Sequence, residues 1–213
     1  MNGIFGINKP VGPTSHDIID QLRRKIGIRK IGHAGTLDPL ASGVLVVAIG
    51  REFTKQIDEL VQKEKEYIAK VKFGFNSTTD DEQGDKEEIE ISVEPTKEDI
   101  TKILPKFIGE IKQMPPIYSS VKVSGRPAHR RARKGEDVKL GTRDVLIKDI
   151  EILDYRWPYL EIKVLTGPGV YIRSLARDIG KELKVGGYLA GLQRIRVGEY
   201  KINDAVSVEE FNG

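Results

Sequence analysis

The sequence predicts an α+β fold with a mixed, mostly antiparallel sheet flanked by helices. Three observations carry that reading. Segments of strand period and of helix period both occur, they do not alternate as strict βαβ units, and residues 144–155 and 159–166 read as paired strands. With 213 residues, 38% of them hydrophobic, the chain can bury the core of one large domain, expected to span residues 1–213.

Local signals give the elements in order. Ile4 to Ile7 is a short apolar strand, closed by Lys9-Pro10 and the Gly12-Pro13 turn. Thr14 with Asp17 three residues on makes a capping box. The helix behind it has an apolar stripe of Ile18, Ile19, Leu22 and Ile26, turns Arg23 and Arg24 outward, and stops at Gly27. Val44 to Ile49 is a continuous apolar run between Gly43 and Gly50, the pattern of a strand covered on both faces. From Tyr67 to Phe75 the pattern alternates, with Tyr67, Ala69, Val71, Phe73 and Phe75 on one side and Lys70 and Lys72 on the other. Thr96 and Asp99 form a second capping box, opening a helix through Ile100, Ile103, Leu104 and Phe107 that Pro105 kinks. Met114 to Pro116 reads as an extended loop leading to a short basic helix that ends near Gly135. A helix over 170–183 and a strand over 193–202 complete the pattern.

Composition excludes several kinds of chemistry. There is no cysteine, so disulfides, thiolate metal sites and cysteine nucleophiles are all absent. No apolar run approaches the roughly 20 residues of a membrane span, and no leader is evident, so a cytoplasmic protein without a membrane partner is expected. The formal net charge of +3 hides an uneven distribution: residues 80–98 hold nine acids and two lysines, net −7, which leaves +10 for the rest. Two stretches carry much of that surplus. One is Arg23, Arg24, Lys25, Arg29 and Lys30; the other is Lys122, Arg126, Arg130, Arg131, Arg133 and Lys134. Each reads as phosphate-facing surface or as a solvated helix face.

The densest glycine and polar cluster runs from Gly32 to Gly43, directly before the apolar strand. It is neither a phosphate loop nor a dinucleotide fingerprint, because no Lys-Ser or Lys-Thr follows the glycines and no G-x-G-x-x-G occurs. His16, His33 and His129 are far apart and give no metal signature. No G-x-S-x-G elbow exists for a serine nucleophile. Asp38 remains as the candidate nucleophile, although an Asp before a Pro is by itself an ordinary turn former.

Gly32 to Gly50 (GHAGTLDPLASGVLVVAIG) closely resembles the signature of the TruB family of tRNA pseudouridine synthases. Four further segments resemble that family in order: Gly6 to Asp17, Tyr67 to Gly84, Gln113 to Gly135, and Gly169 to Gly187 with Leu192 to Val197. The resemblance implies the pseudouridine synthase fold with a basic, thumb-like insertion at about 113–140. It also implies isomerisation of uridine 55 in the T arm of tRNA to pseudouridine after base flipping, without metal or organic cofactor, by a monomer that needs no protein partner. Asp38 matches the catalytic carboxylate and Arg173 the arginine paired with it. Tyr67 matches the tyrosine stacked on the target base, while Tyr171 and Leu192 match residues lining the uracil pocket. His33 matches the residue that enters the RNA loop, and Lys9 matches a lysine that supports the active-site loops. Arg130, Arg131 and Arg133 fall in the insertion expected to grip the T-arm backbone. On a helical wheel Arg173 and Arg177 lie roughly 100–140° from the stripe of Ile172, Leu175, Ala176, Ile179 and Leu183, and so point away from that packing face. For Arg177 an ordinary surface salt bridge is the expectation.

Two other classes compete. One is an RNA-binding or tRNA-folding module with secondary or lost catalysis, against which Asp38, Tyr67 and Arg173 all stand. The other is a glycoside hydrolase, which would need a second carboxylate and aromatic sugar platforms, whereas the chain has one Trp. Bacterial proteins of the TruB type commonly continue into a C-terminal PUA domain, and the end at Gly213 leads to the expectation that this module is missing.

Overall fold

The computed structural model describes residues 2–119, 121–123, 125–132, 135–136, 138 and 140–212. In chain order the elements are β1 (Gly3–Lys9), α1 (Ser15–Ile26), β2 (Ile31–Ala34), β3 (Ala41–Ile49), α2 (Arg51–Thr54), α3 (Ile57–Gln62) and β4 (Lys65–Phe73). Next come β5 (Phe75–Ser77), β6 (Lys86–Glu88), α4 (Lys97–Ile103), a 3-10 turn (Leu104–Phe107), β7 (Gly109–Gln113), β8 (Lys122–Val123), β9 (Arg126–Pro127) and α5 (Ala128–Ala132). The last are β10 (Arg143–Arg156), β11 (Tyr159–Thr166), α6 (Ile172–Glu182), β12 (Gly187–Val197), β13 (Tyr200–Lys201) and a second 3-10 turn (Ile202–Asp204). The residues form two compact units, one of 1–68, 165–168 and 192–213, the other of 69–164 and 169–191. No described helix is long and apolar enough to cross a membrane.

In the first unit β3 is the central strand. β1 runs antiparallel along one edge, from Gly3 opposite Ile49 to Lys9 opposite Gly43. The other edge is shared by β2, antiparallel to residues 46–49, and β12, parallel with Leu192 opposite Ala41. Partners on both edges satisfy the backbone of β3, and its side chains divide between two cores. Leu45, Val47 and Ile49 pack with Ile18, Ile19 and Leu22 of α1, while Val44 and Val46 pack with Leu60 and Val197. That is why Val44 to Ile49 reads as an unbroken apolar run. The expected capping box is present: Asp17 N–H donates to Thr14 Oγ1 at 3.1 Å and Thr14 N–H to the Asp17 carboxylate at 2.8 Å. Gly27 closes α1 in the left-handed region at φ 71°.

In the second unit β7 runs antiparallel to β10, and β11 lies beside β10 as the pairing predicted. β5 with β6 and β8 with β9 form two small antiparallel ribbons. Along β4 the residues Lys65, Tyr67, Ala69, Val71 and Phe73 are buried in alternation, and Gly74 turns the chain at φ +94°. The Pro105 kink takes the form of a change of helix type: α4 ends at Ile103 and residues 104–107 tighten into the 3-10 turn. Several boundaries move. The strand expected over 67–75 ends at Phe73, so Phe75 falls beyond Gly74 in β5 and off the alternating buried side. The basic helix spans only Ala128–Ala132, preceded by the β8–β9 ribbon, and the last strand begins at Gly187 and breaks after Val197, where Gly198 adopts φ +54°.

Candidate active site

Asp38 lies half-buried on the loop between β2 and β3, within the first unit. The loop is fixed through its backbone. The Ser15 hydroxyl, buried at the first position of α1, donates to Leu37 O at 2.9 Å and accepts from Leu37 N–H at 2.8 Å. Gly12 N–H donates to Pro39 O at 2.8 Å, and Ala41 N–H to Asp38 O at 3.0 Å. The residues flanking the carboxylate are therefore anchored independently of it.

Lys9 ends β1 with its side chain fully buried, and its ammonium donates to Ala41 O at 2.7 Å and Pro10 O at 2.8 Å. Burial pulls this ammonium down to about 8; the Asp38 carboxylate opposes that shift and the Arg194 guanidinium adds to it. At neutral pH Lys9 is still mostly charged, and it ties β1 to the start of β3. Arg194 is also almost wholly buried, and donates to Val44 O at 2.8 Å and Gly35 O at 3.0 Å, bracketing the loop. β12 can approach β3 this closely because residue 43 is glycine: at φ +102° a Cβ there would sit 2.2 Å from Arg194 O.

His33, on β2, packs edge-to-face on His16 with ring centroids 5.7 Å apart, and its buried Nδ1 has no hydrogen-bond partner among the described residues. Burial, then the neighbouring His16 and Arg194, pushes the imidazole down to about 4, so it is neutral at physiological pH. Between about 4 and the ordinary 6.5 the unfolded chain binds a proton that the folded chain does not. His33 therefore costs stability as pH falls through that window and costs nothing above it. In urea titrations at pH 7 and pH 4.5, wild type should lose on the order of 2 kcal/mol more than His33→Gln across that pH step. Equal losses would contradict the assignment.

Tyr67 is 6% exposed on β4, on the buried side that the alternation predicts. Leu192 pairs with Ala41, three residues beyond Asp38, and is half-buried.

The second unit holds the other expected site residues. Tyr171 caps α6, where its N–H donates to Gln113 Oε1 at 2.8 Å and its carbonyl accepts from Gln113 Nε2 at 3.1 Å. Arg173 is 7% exposed, because residues 79–81 and 118 cover the side of α6 on which it lies, away from the apolar stripe. Its guanidinium donates to Tyr118 O at 2.9 Å and Thr79 O at 3.3 Å, and faces the Asp81 carboxylate at 3.5 Å. Arg177 does make a salt bridge, to Asp80 at 2.8 Å, but a partly buried one. Burial raises the Asp80 carboxyl, and Arg177 and Arg173 hold it down. In the insertion Arg131 pairs with Glu136 at 2.6 Å. Arg130 contributes backbone to α5, whereas its side chain, and Arg133 altogether, lie outside the described residues.

Sequence reasoning missed Ser15, Arg194 and Asp81. Arg194, beside Gln193 and two residues before Arg196, offered no signal to set it apart. Asp81 was submerged in the count of the acidic segment, and Ser15 looked like any residue behind a capping threonine.

Comparison with known proteins bears on what these groups do. Residues 23–172 match the model of the TruB family pseudouridylate synthase N-terminal domain, and residues 173–213 match the tRNA pseudouridylate synthase B C-terminal domain. The chain is 42% identical to tRNA pseudouridine synthase B of Parabacteroides distasonis, over 98% of this chain and 91% of that protein. It is 41% identical to the protein of the same name from Clostridium kluyveri, over 98% of this chain and 72% of the relative. Among solved structures, a chain of a Cbf5-Nop10-Gar1 complex superposes with TM-score 0.74 at 29% identity; the match covers 96% of this chain and 51% of that one. A chain of an H/ACA RNP bound to a substrate RNA containing 2′-deoxyuridine superposes with TM-score 0.69 at 28% identity, covering 93% of this chain and 48% of that one. The chain thus spans about half the length of these solved chains.

Proposed function

The chain belongs to the TruB family of pseudouridylate synthases, and we propose that it is a tRNA pseudouridine synthase that isomerises uridine 55 of the T arm, with Asp38 as the nucleophile. The observation that carries this reading is the signature loop itself. It holds a carboxylate at a strand edge beside a buried lysine, on a loop whose backbone is fixed by hydrogen bonds to Ser15, Gly12 and Ala41.

The reaction begins with extrusion of the uridine, at a cost of a few kcal/mol. The Asp38 oxygen forms a bond with the nucleoside, the C1′–N1 bond breaks, the uracil turns, C5 bonds to C1′, and the bond to Asp38 breaks with its electron pair returning to the carboxylate. The C5 proton passes to solvent and N1 takes one up, so product and substrate are isomers. Tyr67 stacks on the base, since a neutral phenol is a weak base and a good platform. Leu192 supplies an apolar wall against which a base can rotate. Neutral His33 enters the RNA loop without adding charge. Lys9 holds the start of β3 behind the loop through Ala41 O. No metal or organic cofactor takes part.

The direct test is tritium release from [5-³H]uridine-labelled T-arm RNA; absence of release from wild-type protein would sink the reading. The insertion has its own expected result. Replacing Arg130, Arg131 and Arg133 together with Ala should weaken RNA binding and reduce the slope of log K against log[salt] by about 1 for each phosphate left unneutralised, with little change in the rate at saturation. An unchanged slope would remove the insertion from the RNA interface.

A further inference from the structure

Helix α6 carries Arg173, Ser174 and Arg177, and each of these side chains reaches outside the helix. Arg173 donates to Thr79 O and Tyr118 O. One turn on, Arg177 pairs with the Asp80 carboxylate at 2.8 Å through Nη1 and donates to Met114 O at 2.9 Å through Nη2. Ser174 donates to the same Met114 carbonyl at 2.8 Å. At the start of the helix Gln113 and Tyr171 exchange two hydrogen bonds. The 79–81 turn and the 113–118 segment are thus both tied to α6, by side chains interleaved along one stretch of helix.

Segment 113–118 is the root of the basic insertion, and its composition explains why it needs this attachment. Pro115 and Pro116 remove two backbone donors, so the segment can be held mainly through its carbonyls. Pro115 and Pro116 are buried, whereas Met114 and Ile117 on either side of them are 39% and 48% exposed, so packing holds the middle of the segment and the Met114 position relies on its carbonyl. An ion pair with Asp80 alone would use one end of the guanidinium. The other end of Arg177 goes to a carbonyl that already has a donor, as expected if the placement of Met114 matters.

We propose that Arg177, assisted by Ser174, is a positioning residue that holds the root of the insertion on α6, so that the insertion is set in place to grip RNA. The proposal rests on the tRNA reading for its ligand, but it is tested by binding as well as by turnover. The probe is a fluorescein-labelled T-arm RNA whose Kd is read by anisotropy, together with single-turnover rates at saturating enzyme.

Arg177→Ala should raise Kd about tenfold while the saturating rate stays within about threefold. In that background Arg131→Ala should add little, although it weakens binding to wild type, because an insertion with a loose root no longer grips the RNA. Arg177→Lys keeps a charge beside Asp80 but lacks the fork, so it should fold normally and still lose most of this coupling. Ser174→Ala, which removes no charge, should raise Kd by about twofold to threefold. The proposal is overturned if the Arg177 and Arg131 effects simply multiply. It is equally overturned if Arg177→Lys and Ser174→Ala bind as wild type while Arg177→Ala merely lowers the melting temperature. A wild-type protein that binds the RNA but forms no pseudouridine would defeat the functional reading and leave the coupling in Kd measurable.

Discussion

Replacing Asp38 with Asn should cut tritium release from [5-³H]uridine T-arm RNA by on the order of 10⁴-fold or more, because an amide cannot form the covalent bond that the reaction needs. The backbone of the loop should keep its shape. The hydrogen bonds that shape the loop run through Leu37 N–H and O to Ser15, through Pro39 O to Gly12, and through Asp38 O to Ala41, none of which uses the carboxylate. Asn also matches Asp in size. One side effect is expected at Lys9: the Asp38 charge that holds its pKa up disappears while burial and Arg194 remain, so Lys9 should deprotonate below its wild-type value of about 8. That shift can be followed by NMR of the lysine side chain. Release by Asp38→Asn within about tenfold of wild type would show that another group attacks the nucleoside.

How far the site was legible depended on whether a residue acts through its own backbone or through a remote partner. The Thr14 and Thr96 capping boxes, the Gly27 stop and the alternation of β4 are short-range patterns, and each could be read from neighbours in sequence. Asp38 was legible because its loop is one continuous stretch. Arg173 shows the opposite case. Helical periodicity located the apolar stripe of α6, but it could not see that residues 79–81 and 118, more than 50 positions away, cover the other side. A wheel reports one buried face, and α6 has two. The same blindness applies to Ser15 and Arg194, whose partners lie 22 and about 150 positions off. The acidic segment hid two of its members: inside a sum of −7 nothing marks Asp80 and Asp81 as the partners of the α6 arginines.

Removing the Arg173 guanidinium should therefore damage both stability and chemistry, and the two effects can be separated. The side chains of Arg173 and Asp81 are 8% and 4% exposed, so Arg173→Met strands a carboxylate that cannot be resolvated cheaply. Breaking a buried pair in this way costs about 3–5 kcal/mol. The 3.5 Å separation, and the hydrogen bonds that Asp81 already accepts from Thr79 and Gln83, favour the lower end. For a chain of this size about 3 kcal/mol corresponds to a fall of roughly 6–12 °C in Tm. Asp81→Asn keeps the shape and removes the stranded charge, so Arg173→Met should cost distinctly less in that background, and a double-mutant cycle on Tm should show coupling above about 1 kcal/mol. Arg173→Lys separates the functional part. It keeps the positive charge but loses the planar fork that serves Thr79 O and Tyr118 O, so it should melt within a few degrees of wild type. Its single-turnover rate should nonetheless fall by about 10²-fold to 10³-fold, the loss typical of a misplaced charge-stabilising donor. If Arg173→Lys instead retained the wild-type rate, the guanidinium would be serving the fold of α6 alone, and the catalytic role implied by the family match would have to pass to another cation.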